Sequence, residues 1–303
     1  MAKKTMLALL SCVMAIALSV GTVSAGERFK VFLITMDQID QHWNNVNVGA
    51  KRAADELGNI DYVWSAPDMK DDAKQIECIN NSIAQGADLI LLAVNGPNAV
   101  TSALREAQEA GVKIIYVDSP ADFPSIATFS TDNKAAGYTA GEEMLKALEA
   151  KGVKSGTIGI VTPNAATHSN TLREAGFREA LAGSPYEILA SQYSEGDAAR
   201  SKDFAANFIV QGCIGIYGTN EGCTTGVGNA IYEEDNQIVG VGFDNSDSIR
   251  NLIRGGSLVC AMVQNPDRMG YLGMKAAADA LTSGYKGDKV VDTGVTVMTK
   301  DKL

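Results

Sequence analysis

The chain is poor in histidine and has no excess of positive charge. Its two histidines, His42 and His168, leave few candidates for a catalytic triad or a zinc site. Lysine and arginine number 26 against 36 aspartates and glutamates, for a formal net charge of -10. A protein that neutralises phosphates needs a basic face, so this balance argues against a nucleic-acid partner and against an anionic membrane surface. No Cys-x-x-Cys pair occurs among the five cysteines, so thioredoxin-type redox chemistry and a zinc ribbon are unsupported. Gly-x-Gly-x-x-Gly, the P-loop, the Gly-x-Ser-x-Gly elbow and His-Glu-x-x-His are also absent. Gly226-Val227-Gly228 and Gly240-Val241-Gly242 lack the third glycine and the strand-to-helix setting of a dinucleotide fingerprint.

What is present is enough apolar material for a folded chain. The 303 residues are 46% hydrophobic and 20% charged, which excludes a disordered or fibrous protein and suggests two domains, each with its own core. The first 25 residues stand apart. Lys3-Lys4, an apolar run from Met6 to Val20, and Val23-Ser24-Ala25 before Gly26 have the order of a cleaved secretory signal peptide. The alternatives are an uncleaved membrane anchor and a lipid anchor at Cys12, since Leu9-Leu10-Ser11-Cys12 resembles a lipobox. Cleavage removes two lysines and no acid, taking the net charge from -10 to -12. Export leaves Cys78, Cys213, Cys223 and Cys260 where disulfides persist. Cys213 and Cys260 lie in strand-like runs and fit small buried hydrophobes, while a single bridge among Cys213, Cys223 and Cys260 stays open.

Strand-like and helix-like stretches then alternate. Apolar runs at 29–35, 60–64, 89–94, 113–118 and 126–129 alternate with amphipathic stretches at 43–57, 73–85 and 99–110. The rhythm continues with strands at 157–161, 187–193, 214–217, 238–241 and 257–263. The helices of this half fall at 135–148, 171–181, 198–209, 223–232, 247–253 and 269–281. Strands apolar throughout, joined by amphipathic helices, predict parallel sheets covered on both faces. Gly58, Gly86 and Gly111 sit where helices stop, as left-handed C-terminal caps do. The fold class is therefore α/β, with two doubly wound parallel-sheet domains in succession and a short, structured join.

In such sheets ligands bind beyond the carboxyl ends of the strands. Those ends are 36–42, 66–70, 95–98 and 118–123 in the first half, and 162–170, 194–197, 218–221 and 243–246 in the second. They are rich in Asp, Asn, Ser and Thr and carry almost no Lys or Arg, a lining suited to a neutral, hydroxyl-rich ligand. Catalysis has thin support. Ser169 beside His168 reads as two polar loop residues rather than a nucleophile and base. Asp118 with Asp244 could in principle do glycosidase work, but on this fold two acceptors for hydroxyls are the better reading. No catalytic residue, metal or cofactor is expected.

Several stretches, weak alone, are specific in their order and spacing: His42-Trp43 followed by Val48-Gly49-Ala50, Val117-Asp118, Ser130-Thr131-Asp132-Asn133, Gly218-Thr219-Asn220-Glu221, Val239-Gly240-Val241-Gly242-Phe243-Asp244, and Val263-Gln264-Asn265-Pro266. On these the chain resembles the periplasmic sugar-binding proteins of the ribose/galactose type, the solute receptors of ABC importers, which share their fold with LacI-type repressors. The resemblance covers the whole chain after the leader. It implies a monomer in the periplasm, with a ligand cleft between two domains joined by three hinge strands near Asp132, Gln264 and Thr293. The N-terminal domain would comprise 26–131 plus 265–292, and the C-terminal domain 132–264 plus 293–303. A neutral sugar or polyol would favour the closed form and be delivered to an ABC permease.

Carried over by position, Trp43 would stack on a ring face, with His42 as a second plate or hydrogen-bonding partner, and Asp118, Asn220, Asp244 and Gln264 would hold hydroxyls. Each has a plainer alternative: Trp43 as a core residue at a helix start, Asn220 as a helix cap, Asp244 and Gln264 as cap or hinge residues. The departures concern specificity. The two sugar-contacting arginines of the family fall here at Ser119 and about Thr171, with Arg173 close to the second, and Asp40 stands where the ribose receptors have an amide. Ribose itself is therefore not carried over; another aldose, a sugar alcohol, a cyclitol or an autoinducer-like furanose fits as well. Two other functions compete with transport. One is a sensor presenting the same ligand to a chemoreceptor or histidine kinase; the other is an exported hydrolase on a similar scaffold. A repressor is disfavoured by the leader, the missing helix-turn-helix and the charge.

Overall fold

The β-branched and aromatic run Phe29–Ile34 (β1) begins a regular alternation in the computed structural model, which describes residues 28–303. The leader expected at 1–25, Cys12 included, lies outside the described residues. After β1 come α1 (Gln41–Leu57), β2 (Ile60–Ser65), α2 (Asp72–Ala84), β3 (Leu89–Leu92), α3 (Thr101–Glu109), β4 (Lys113–Val117) and β5 (Thr128–Ser130). The second half runs α4 (Asn133–Ala150), β6 (Gly156–Thr162), α5 (His168–Ala180), β7 (Tyr186–Ile188), β8 (Gln192–Tyr193), α6 (Ala198–Val210), β9 (Cys213–Gly218), α7 (Glu221–Glu233), β10 (Val239–Phe243), α8 (Asp247–Gly255) and β11 (Cys260–Gln264). It closes with α9 (Pro266–Thr282), β12 (Val290–Asp292) and β13 (Val295–Thr299).

Two sheets result. The first has the order β12-β5-β4-β3-β1-β2 and is parallel throughout. Its strands are apolar on both sides because both faces are covered: Val31 and Leu33 pack into one core with Val46, Ala50 and Met274, and Phe32 and Ile34 into another with Ile79, Leu104 and Tyr116. The second has the order β13-β11-β10-β9-β6-β7, with β8 also paired to β6. Here β13 runs antiparallel to β11, a departure from an all-parallel sheet that follows from a short connection: Gly294, at φ +84°, turns the chain directly from β12 into β13. The strand expected at 187–193 is likewise two short ones, β7 and β8, both laid against β6.

The chain passes between the sheets three times, after β5, after β11 and after β12, and the three passages are tied together. Asp292 Oδ1 accepts the backbone N–H groups of Asp132 and Gly294. Asn265 Nδ2 donates to the carbonyls of Thr293 and Gly294. α9 returns to the first sheet and lies against α1 so closely that only glycine fits: a Cβ on Gly49 would sit 1.9 Å from the Asp267 carbonyl oxygen, and one on Gly270 2.0 Å from that of Val46.

Several helices start two or three residues earlier than hydrophobic periodicity places them. Asn164 Oδ1 accepts the N–H groups of Ala166 and Thr167 and so launches α5 at His168 rather than Thr171. Pro266, with its fixed φ and missing N–H, occupies the first turn of α9. The four cysteines Cys78, Cys213, Cys223 and Cys260 are free thiols, three of them buried, so no bridge joins the late cysteines.

Candidate functional site

Both sheets have the strand order in which connectivity reverses between the first and third strands, β1/β3 in one and β6/β9 in the other. A crevice opens beyond the carboxyl ends at such points. The two crevices face each other across a small, partly open cavity of about 20 Å³. The first sheet contributes Met36, Asp40, His42, Trp43, Lys70 and Asp118; the second contributes Pro163, Thr167, Ser169, Asn170, Arg173, Asn220, Asp244 and Gln264.

His42 lies at the centre. Its Nε2 is 2.9 Å from Asp118 Oδ2 and its Nδ1 3.5 Å from Asp244 Oδ1, so one imidazole is held between a carboxylate at the end of β4 and another at the end of β10. Both aspartates have left-handed backbones, φ +66° for Asp118 and +76° for Asp244. Such strain of order 1–3 kcal/mol persists where surrounding structure holds a side chain in place. Burial alone would lower the His42 pKa; the hydrogen bond to Asp118 and the charge of Asp244 outweigh it and raise the pKa. For Asp118 burial pushes upward, and His42 with Arg173 brings the pKa below the ordinary value. The His42 ring meets Trp43 edge to face, with centroids 4.6 Å apart. His42 thus bridges two carboxylates. Trp43 is buried in the core beneath the first sheet and also lines the cavity.

A second charged group lies beside it. Asp37 Oδ1 accepts the N–H groups of Ile39 and Asp40, and its Oδ2 accepts from the Trp43 indole at 3.2 Å. Lys70 brings its ammonium to Asp37 at 2.5 Å and Asp40 at 2.8 Å. Burial would lower the Lys70 pKa, but the two carboxylates raise it. Asp40 itself is pushed upward by burial and by the charges of Asp37 and Asp244, against the opposing pull of Lys70. Arg173 is the other cation. Its Nε donates to Asn133 at 2.8 Å and its Nη1 to the Thr219 carbonyl at 2.9 Å, and its guanidinium lies 3.8 Å above the Phe243 ring. Its Nη2 is buried without a partner among the described residues. The lining is therefore not nearly free of Lys and Arg, as the strand-end composition suggests. It carries two cations, each held by groups of the protein.

Contacts also run from one sheet's elements to the other's. The Glu221 carboxylate accepts the N–H of Gln41 at 2.9 Å and of His42 at 3.0 Å, satisfying the first turn of α1 from the far side of the cleft. Burial first, then the charges of Asp40 and Asp244, push its pKa up to about 7 against those two hydrogen bonds. Thr167 Oγ1 donates to the Asn95 carbonyl, and the Ser169 N–H to Ser119 Oγ.

Of the residues singled out from sequence, Asp40, His42, Trp43, Asp118, Arg173, Asn220, Asp244 and Gln264 come together on this cavity. Asn220 also caps α7, its Oδ1 accepting the Cys223 N–H. Gln264 links Thr131 Oγ1 to Asp244 Oδ1 next to the strand passages. Ser119 and Thr171 are not on it. Ser119 is fully buried and spends its hydroxyl on Ser169; Thr171 lies one turn into α5, its hydroxyl on the His168 carbonyl, because the helix starts earlier. The early start instead turns Ser169, Asn170 and Arg173 inward. Asp37, Lys70, Asn170 and Glu221 were not singled out, although Asp37, Lys70, Asn170 and Glu221 all fall inside the eight strand-end segments.

Residues 31–286 match the family described as the periplasmic binding protein domain. The chain is 25% identical over 255 residues to a ribose import binding protein of Haemophilus influenzae, covering 83% of this chain and 85% of that one. It is similar to a solved ABC transporter solute binding protein of Agrobacterium vitis with bound D-fucose (TM-score 0.85, 28% identity, 90% and 96% coverage). It is also similar to a carbohydrate transporter solute binding protein of Agrobacterium radiobacter in complex with D-arabinose (TM-score 0.84, 27% identity, 90% and 95% coverage).

Proposed function

The chain belongs to the periplasmic binding protein family, and from that premise we propose that it is an exported receptor that closes on a neutral monosaccharide or polyol and delivers it to an ABC importer, with no chemistry of its own. The carrying observation is the cavity between the two sheets, where carboxylates and amides from both sides converge beside a buried indole. A sugar has hydroxyls around its rim and apolar C–H faces; Asp118, Asp244, Asn220 and Gln264 suit the rim, and Trp43 suits a face. Lys70 is paired with Asp37 and Asp40, and carboxylates outnumber the cations on the lining, which leaves a neutral ligand as the best match.

In this reading the N-terminal lobe is 26–131 plus 265–292 and the C-terminal lobe is 132–264 plus 293–303. The three bonded strand passages act as the hinge, and the Glu221, Thr167 and Ser169 contacts join the lobes in the closed form. The similar proteins named for ribose import, or bound to D-fucose and D-arabinose, support the ligand class without choosing a member. The test is a thermal-shift panel of neutral aldoses, ketoses, sugar alcohols and cyclitols on the chain from residue 26. At least one compound is expected to raise the Tm by several degrees, and Trp43→Ala to remove the shift. A panel in which only charged compounds stabilise the protein would overturn the reading.

A further inference from the structure

Lys70 is a buried cation that its immediate neighbours leave incompletely used. Its side chain is only 7% exposed and lines the cavity. An ammonium has three N–H donors; Asp37 takes one and Asp40 Oδ2 another. Asp40 Oδ1 receives no donor among the described residues, and Asp40 gives no side-chain cap to α1 although it stands at the cap position. The ammonium also reaches the opposite wall: a Cβ added to Gly196 would lie 3.1 Å from Lys70 Nζ and 3.2 Å from Asn220 Nδ2. Lys70 and Asp40 both line the cavity, so the pair brings to it an ammonium with a third N–H and a carboxylate with a second oxygen.

We propose that the Lys70–Asp40 ion pair is a specificity-determining element that reads a single ligand hydroxyl as both donor and acceptor, with Asp37 positioning the ammonium. The inference rests on the sugar-receptor reading of the same cavity. Its chemistry is directional. A carbonyl or ring oxygen could use only Lys70, and a missing hydroxyl would leave a buried donor and acceptor unpaired, so both a deoxy analogue and an epimer at that carbon are rejected. A ligand carboxylate is disfavoured because Asp37 and Asp40 flank the ammonium and Asp118 and Asp244 line the same cavity.

The experiment measures affinities of D-ribose, 2-deoxy-D-ribose, D-arabinose, D-allose, D-galactose and D-fucose for the wild type, Lys70→Met, Asp40→Asn and the double variant. The Tm of each ligand-free protein is followed in parallel. The wild type is expected to separate at least one epimer or deoxy pair by tenfold or more, and the double variant to bind both members within about threefold of each other. The double variant removes one cation and one anion together, so its ligand-free Tm reports folding separately from selectivity. Binding with the wild-type selectivity ratio intact in the double variant would overturn this inference while leaving the receptor reading in place. Failure of the wild type to bind any of the six, or any other neutral polyol, would overturn the receptor reading and this inference with it.

Discussion

Glu221→Gln tests the joint between the lobes. Glu221 starts α7, and its two carboxylate oxygens take the first free N–H groups of α1 across the cleft. Burial and the nearby Asp40 and Asp244 charges raise its pKa from an ordinary 4.5 to about 7. A group whose pKa is raised on assembly stabilises most where it is protonated in both states. Its contribution is therefore fully present below about pH 4.5 and is lost as the pH rises through about 7. At about 1.4 kcal/mol per pH unit, that window amounts to at most about 3.5 kcal/mol. Glutamine keeps one acceptor for the α1 amides and cannot ionise. The assay is the Tm of wild type and Glu221→Gln every half unit from pH 4.5 to 8. At roughly 2–4 °C per kcal/mol for a chain of this size, the gap between the two curves is expected to shift by several degrees, the wild type losing ground as the pH rises. Two parallel curves would refute the reasoning.

Two further outcomes follow from packing and from the thiols. In Gly49→Ala the new methyl has no room against the Asp267 carbonyl, so α1 and α9 must separate; the expected loss is about 1–3 kcal/mol, read as a drop of several degrees in Tm, and an unchanged Tm would contradict the close approach. The four cysteines of the described residues are free. Denatured without reductant, the chain from residue 26 should titrate four thiols. In the native state Cys213, Cys223 and Cys260 should stay unreactive, since burial pushes the Cys223 thiol up to about 11 and that of Cys260 to about 12; fewer than four thiols in the denatured chain would reveal a bridge.

The architecture was legible because its causes are local. Unbroken apolar strands such as Leu89–Leu92 need cover on both faces, and glycines such as Gly58 at φ +74° end helices wherever they fall in sequence. The cavity was legible for a related reason: parallel strands all end on one side, so Asp118 and Asp244, each just beyond a strand end, reach the same space. What stayed hidden depends on partners distant in the chain. Thr171 looked like a helix start because periodicity begins there, whereas the Asx turn at Asn164 sets the start at His168. Lys70 falls in the strand-end segment 66–70 but nothing in sequence marks its ammonium; the turn of Asp37 back toward Asp40 and Trp43 is what pairs it beside the cavity. His42 reads equally as a second plate or a hydrogen-bonding partner, because nothing in sequence shows that carboxylates from two sheets close on both its nitrogens.

Calorimetric titration of the most stabilising panel sugar into the wild type, Asp118→Ala and Asp244→Ala puts the central claim, one neutral ligand held by both lobes at once, to its most direct test. The expected result is one ligand per chain and at least tenfold weaker binding in each variant, with both still folded. Undiminished affinity in either variant would show that the ligand is not shared between the lobes and would contradict the account.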